Sequence, residues 1–372
     1  MSCMIIGVPK EIKAFENRVA VLPAGVHSFV DAGHTVCIEK DAGLGSGLSN
    51  EDYIQAGAKI IDTPEELYRK ADMIYKVKEP LPLEYPLLRE DQIIFAYLHL
   101  APDPQQASAL LDAKVIGIAF ETIQMANGSL PLLIPMSAIA GRMSVQVGAN
   151  LLQKINNGSG VLLGGVPGVA PGHVVIIGAG VSGLNAAQMA VGLGARVTVL
   201  DISSERLAYV QDVLKGCVVT LMSNIYNVEE SVANADLVIG AVLVPGGRTP
   251  KIVTKQMVLK MRPGSVIVDI SIDQGGCIET MDRLTDHEKP YFINHGVVHY
   301  SVPNMPGAVP RTSTFALANA TTPYALKIAN MGAEAAMRSD PALKKGLNTY
   351  NGKVTNKGVA DALDLEYVDV EF

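Results

Sequence analysis

The stretch HVVIIGAGVSGLNAAQMAVGLGARVTVLD combines residue types and spacings that suit one task, the binding of a dinucleotide. An apolar run leads into Gly178-x-Gly180-x-x-Gly183, a helical stretch follows, and a second apolar run ends on Asp201. Gly178 permits a tight turn, Gly180 lets the backbone approach a pyrophosphate, and Gly183 allows close helix packing. A helix starting near Val181 would offer its free N–H groups to the anion. Asp201 would accept hydrogen bonds from the adenosine ribose hydroxyls and repel a 2′-phosphate. No arginine follows at Ile202 or Ser203 to receive one, so NAD is favoured over NADP. Arg206 has two readings, along the adenine or as a solvated helix-face arginine.

Four other residues stand where ligands of open α/β sheets bind, beyond the carboxyl ends of apolar runs. Arg18, in the polar loop after MIIGV, is a planar fork suited to a carboxylate, or else a surface loop arginine. Lys78 closes the alternating run MIYKVKEP, where it could neutralise a carboxylate or polarise a carbonyl; an edge-strand lysine that deters aggregation is the other reading. His99 lies near the end of QIIFAYLHL with Tyr97 on the same face. It would be an acid/base group, or else a buried histidine satisfied by backbone. Asp273 falls just past SVIVDIS and before Gly275-Gly276, placed either to face a cleft or to cap that turn, while Asp269 looks structural.

These positions require two series of α/β elements. From Met4 to about Leu133 short apolar runs alternate with helical segments, and a second such series begins near Val174. The pattern predicts an α/β protein of two doubly wound parallel-sheet domains, the second a Rossmann domain inserted into a discontinuous first. The expected boundaries are 1–133 with 308–372, and 134–307. PMSAIAGRMSVQVGANLLQKINNG reads as one long connecting helix, and the stretch after Pro310 as helical with no βαβ series of its own.

Composition narrows the function further. The 372 residues are 48% hydrophobic and 18% charged, with a net charge of -7 and no Lys/Arg cluster, which argues against nucleic acid and anionic membrane surfaces as partners. The uncharged run between Lys154 and Arg196 is broken by Gly164, Gly165, Pro167, Gly168, Pro171 and Gly172, so it reads as a loop and a buried strand rather than a membrane span. Four scattered cysteines signal neither a metal site nor a disulfide framework, and the N-terminus shows no secretion signal, so a reduced cytoplasmic protein without metal is expected.

Taken in order, RVAVLPAGV, KVKEP, YLHLAPD, PMSAIAGRMS, GAGVSG, GAVLVPG, DISIDQGG and VPNMPGAVPRTST resemble the bacterial-type alanine dehydrogenases of the alanine dehydrogenase/pyridine nucleotide transhydrogenase family, along essentially the whole chain. The resemblance implies reversible oxidation of L-alanine to pyruvate and ammonia with NAD, by a homohexamer. It further implies that Arg18 and Lys78 bind substrate and that His99 and Asp273 form the acid/base pair. The cofactor contacts implied are Ser137, Val181, Ser182, Asp201, Arg206, Ser223, Val242, Leu243, Ile270 and Val302, Pro303, Asn304 and Met305. Asp273, from the cofactor domain, would meet the other three groups when a cleft closes. The alternative is the NAD-binding subunit of a proton-translocating transhydrogenase, which binds cofactor without oxidising an amino acid.

Overall fold

A computed structural model describes residues 3–243 and 249–372. Val244 to Gly246 of the GAVLVPG passage lie outside the described residues. The chain forms two compact units, residues 1–136 with 309–372, and residues 137–308. It passes from the first to the second within the helix Ile134–Leu151.

In chain order the strands are β1 (Ile5–Val8), β2 (Thr35–Glu39), β3 (Lys59–Ile61), β4 (Met73–Tyr75), β5 (Ile93–Ala96) and β6 (Ile116–Ala119) in the first unit. The second unit contains β7 (His173–Ile177), β8 (Arg196–Asp201), β9 (Val219–Met222), β10 (Leu237–Gly240), β11 (Val266–Asp269), β12 (Tyr291–Asn294) and β13 (Val297–Tyr300). The chain then returns to add β14 (Leu347–Tyr350) and β15 (Lys353–Val354) to the first sheet.

The two sheets share one topology. The first runs β15-β14-β6-β5-β4-β1-β2-β3 and the second β12-β13-β11-β10-β7-β8-β9. Six strands of each are parallel, in the doubly wound order that places a switch point between β1 and β4, and between β7 and β10. The sequence pattern misses two additions, the antiparallel hairpin β14–β15 beside β6 and the antiparallel edge strand β12 beside β13. Both are short strands with no crossover helix, so no alternation of strand and helix announces them.

Central strands read as unbroken apolar runs because helices cover both faces. Every residue of β7, β10 and β11 is buried, whereas β9, at a sheet edge, is half exposed. One core packs Leu67, Ile74, Ile94 and Leu110, and the other Val175, Ile177, Val238 and Ile267. Each such side chain contributes roughly 1.5–3 kcal/mol of transfer free energy. The long helix Pro310–Met331 is pinned to the first sheet's site end, where the Val19 N–H donates to Thr314 Oγ1 at 3.1 Å and the Tyr75 hydroxyl meets Thr321.

Candidate active site

In the first unit the candidate groups follow β1, β4 and β5, three neighbouring strands on either side of the switch point. Arg18 is buried, and its partner is Glu16, which sequence reasoning passed over. Arg18 Nε donates to Glu16 Oε1 at 2.6 Å and Nη2 to Glu16 Oε2, while Nη1 lies 3.0 Å from Met136 Sδ. Burial pushes Glu16 up, but the hydrogen bonds and charge of Arg18, with a further contribution from Lys78, outweigh it and hold the carboxyl below its ordinary value. The influence of Lys78 on Glu16 places that lysine within electrostatic reach of the arginine pair.

The lysines of MIYKVKEP depart from the expected pattern. The assigned strand ends at Tyr75, before either lysine, and β4 is central, which removes the edge-strand reading of Lys78. Lys76 is fully buried, with its Nζ 2.6 and 2.7 Å from the two oxygens of Glu84 and 3.8 Å from Glu11. Lys78 is half-buried, and its backbone N–H donates to Glu11 Oε1 at 3.2 Å, beside that of Val77 at 2.6 Å.

His99 lies beyond β5, which stops at Ala96, and its ring is 46% exposed, so it is not a buried histidine satisfied by backbone. Its φ of 47° is left-handed, a conformation a residue with a Cβ adopts at a cost of about 1–2 kcal/mol. Glu121 holds it there, accepting the His99 N–H at 2.6 Å and the Leu98 N–H at 3.2 Å, with its Oε1 also 3.9 Å from His99 Nδ1. Tyr97 stacks on the imidazole at 5.8 Å and anchors its hydroxyl on the Leu132 carbonyl at 2.6 Å. Burial raises the Tyr97 phenol, with the charge of Arg18 opposing and that of Glu121 reinforcing.

The second unit presents a different surface at the same topological place. Gly178 has φ 105°, and a Cβ there would overlap the Ala241 carbonyl; one at Gly183 would overlap the Gly178 carbonyl. At Gly180, the N-cap of the helix Val181–Gly192, a Cβ would meet nothing within 4 Å, so the protein's own packing does not demand glycine there. An open approach to uncapped N–H groups is the cradle a pyrophosphate fits. Gly141 lies so close to Ser182 that a Cβ would overlap the serine carbonyl, and Ser137 lies one turn earlier on the same helix.

Asp201 Oδ2 accepts the Ala179 N–H at 2.6 Å, and Oδ1 accepts the Ser203 N–H at 2.8 Å; each oxygen keeps a second lone pair for a ribose hydroxyl. Arg206 is half-buried and bound to the glycine turn, rather than left as a solvated helix-face arginine. Its Nε and Nη2 donate to the Ala179 carbonyl at 3.0 and 2.7 Å, so the residue between the first two glycines is gripped at both backbone groups. Ser223 follows β9 and donates its N–H to the Asp201 carbonyl at 2.8 Å. Val242 and Leu243 follow β10, Ile270 and Asp273 follow β11 in the 3-10 turn Ile270–Gln274, and Val302 to Met305 follow β13. All of these therefore lie along the carboxyl edge of one parallel sheet. Asp269 is buried and accepts N–H groups from Ser271, Cys277 and Ile278, so it is Asp269 that ties down the Gly275-Gly276 turn. Asp273 is left exposed, with no hydrogen bond or ion pair among the described residues.

A Rossmann-type unit paired in one chain with a second doubly wound unit, whose own switch point carries charged side chains, defines a two-domain α/β enzyme. The chain belongs to the alanine dehydrogenase/PNT family: residues 7–140 match its N-terminal domain and residues 144–357 its C-terminal domain. It is 59% identical over 368 residues to an alanine dehydrogenase of Methanococcus maripaludis, covering 99% of each chain. A solved L-alanine dehydrogenase superposes with a TM-score of 0.94 at 52% identity, covering 97% of this chain and 99% of that one. A transhydrogenase from Sinorhizobium meliloti is more distant, with a TM-score of 0.79 at 25% identity, covering 95% of this chain and 99% of that one.

Proposed function

We propose that this chain oxidises L-alanine reversibly to pyruvate and ammonia with NAD. The observation that carries the reading is the grouping of Arg18, Lys78 and His99 beyond three neighbouring parallel strands, a set suited to a small carboxylate with a reacting α-carbon. Likeness along the full chain to proteins named alanine dehydrogenase supports the same substrate. The greater distance of the transhydrogenase makes that alternative the weaker one.

NAD, when bound, supplies the acceptor for the hydride leaving the α-carbon. The turn at Gly178, Gly180 and Gly183, with the N–H groups of Val181 and Ser182, would hold its pyrophosphate, and Asp201 its adenosine ribose. The other residues along that sheet edge would complete the contacts. Arg18, oriented by its two bonds to Glu16, would bind the substrate carboxylate. Lys78 Nζ would donate to the same substrate and stabilise the developing carbonyl oxygen. Once the α-carbon and nitrogen have lost hydride and proton, water adds to the imine. His99 would take the proton of that water and return it to the amine nitrogen, to which Asp273 hydrogen-bonds; as the C–N bond breaks and the carbonyl forms, the hydroxyl proton passes to the departing ammonia. Alanine, NAD⁺ and water thereby become pyruvate, NADH, ammonium and one proton.

The test is NADH absorbance with L-alanine and NAD, beside D-alanine, L-serine, L-valine and NADP. Turnover with L-alanine and NAD is expected. A protein that binds NADH and turns over no amino acid would overturn the reading in favour of a transhydrogenase-like role. The proposal extends to a cytoplasmic homohexamer, for which light scattering should give six times the chain mass of 39.4 kDa.

A further inference from the structure

We infer that Glu11 is a positioning residue for substrate binding: it ties the loop after β1, which carries Arg18, to the turn after β4, which carries Lys78. The inference rests on the substrate-binding reading of Lys78. Glu11 Oε1 accepts the backbone N–H groups of Val77 and Lys78, at 2.6 and 3.2 Å. Its other oxygen lies 3.8 Å from Lys76 Nζ, which is in turn clasped by Glu84. Glu84 also accepts the Leu81 N–H at 2.8 Å and the Tyr68 hydroxyl at 2.7 Å. The backbone on both sides of Lys78 is thus held by two buried carboxylates, and Glu11 is the one that comes from the arginine's loop.

The ladder between β1 and β4 does not do this work, because β1 ends at Val8; on the β5 side alone the pairing runs on, with the Lys76 N–H donating to the Phe95 carbonyl at 3.2 Å and the Tyr97 N–H to the Val77 carbonyl at 3.1 Å. A carboxylate accepting two amides beyond the strand ends replaces the missing ladder bonds and fixes where the Lys78 side chain starts. Holding a carboxyl fully inside the protein is costly: burial, opposed by Lys76 and reinforced by Glu16 and Glu84, pushes Glu11 up to about 7. A purely structural bond to two amides would be met more cheaply by a neutral acceptor.

The experiment is a double-mutant cycle in the full chain, with Glu11→Gln and Lys78→Ala made singly and together. Pyruvate affinity is read from its effect on the fluorescence of bound NADH, so that turnover is not needed. Thermal midpoint and NADH affinity report on the fold and on the second unit. Glu11→Gln should weaken pyruvate binding about ten-fold in the wild-type background and less than about two-fold once Lys78 is gone, with NADH affinity unchanged. Glu11→Asp, which keeps the charge, should recover part of the loss, and it completes the cycle should Glu11→Gln fail to fold. An equal loss in both backgrounds would overturn the inference while leaving the role of Lys78 intact. Wild-type pyruvate affinity in Lys78→Ala would overturn that role, and the inference with it.

Discussion

The two switch points have the same strand order and opposite chemistry. In the first unit, the ends of β1, β4 and β5 carry charged side chains held by glutamates: Arg18 by the buried Glu16, the Lys78 backbone by the buried Glu11, and His99 by the partly buried Glu121. In the second, the turn after β7 is built from glycines, and Asp201 and Arg206 fix the backbone of Ala179. One end presents side-chain charge and the other presents backbone N–H groups. The difference teaches that topology selects where a ligand binds, while the residues placed there select a small charged substrate or a long cofactor.

That contrast can be broken by substitution. The largest effect is expected for Arg18→Ala. Turnover should fall by about a thousand-fold or more, and stability by roughly 3–5 kcal/mol, because the buried Glu16 loses the guanidinium that balances its charge. NADH affinity of the folded protein should stay as it is; chemical denaturation and NADH titration check the two halves. Gly183→Val comes next, since its Cβ would overlap the Gly178 carbonyl and displace the helix start. NADH affinity should drop about a hundred-fold by fluorescence titration, equivalent to about 2.7 kcal/mol.

Gly180→Ala sharpens the same point with a smaller effect. Its Cβ meets nothing in the protein, and the weaker N-cap preference of alanine is offset by its smaller unfolded-state entropy, so stability should change by less than about 1 kcal/mol. NADH affinity should still fall about ten-fold, and unchanged affinity would show that the cofactor does not approach this turn. The smallest effect concerns pH. Glu11 is raised from 4.5 to about 7, so between those values the folded state binds more protons than the unfolded one, and the wild type loses stability as pH rises through that window. Glu11→Gln lacks this loss, and thermal midpoints of both proteins at pH 5 and pH 8 should show the wild type falling relative to the variant.

Legibility in the sequence followed the range of the interactions. The glycine turn and Asp201 were readable because one strand-helix-strand unit contains them, with each glycine answering a local need. The two doubly wound sheets were readable from the alternation of apolar runs and helices, and the short antiparallel edges were not. Residue types at Arg18, Lys78 and His99 drew notice, but their partners did not. Nothing in the sequence singles out Glu11, Glu16, Glu84 and Glu121, because only the fold brings residue 11 to 77 and 121 to 99. The strand ends also misled. QIIFAYLHL alternates as though it were strand to its end, yet β5 stops at Ala96 and the chain turns into a left-handed residue at His99.

The division of labour between the two switch points is tested most directly in Lys78→Ala, with NADH affinity and the rate of NADH formation from L-alanine measured on one preparation beside the wild type. The expected result is wild-type NADH binding with alanine oxidation reduced about a thousand-fold. Alanine oxidation at the wild-type rate, or loss of NADH binding in a variant that keeps its fold, would contradict it.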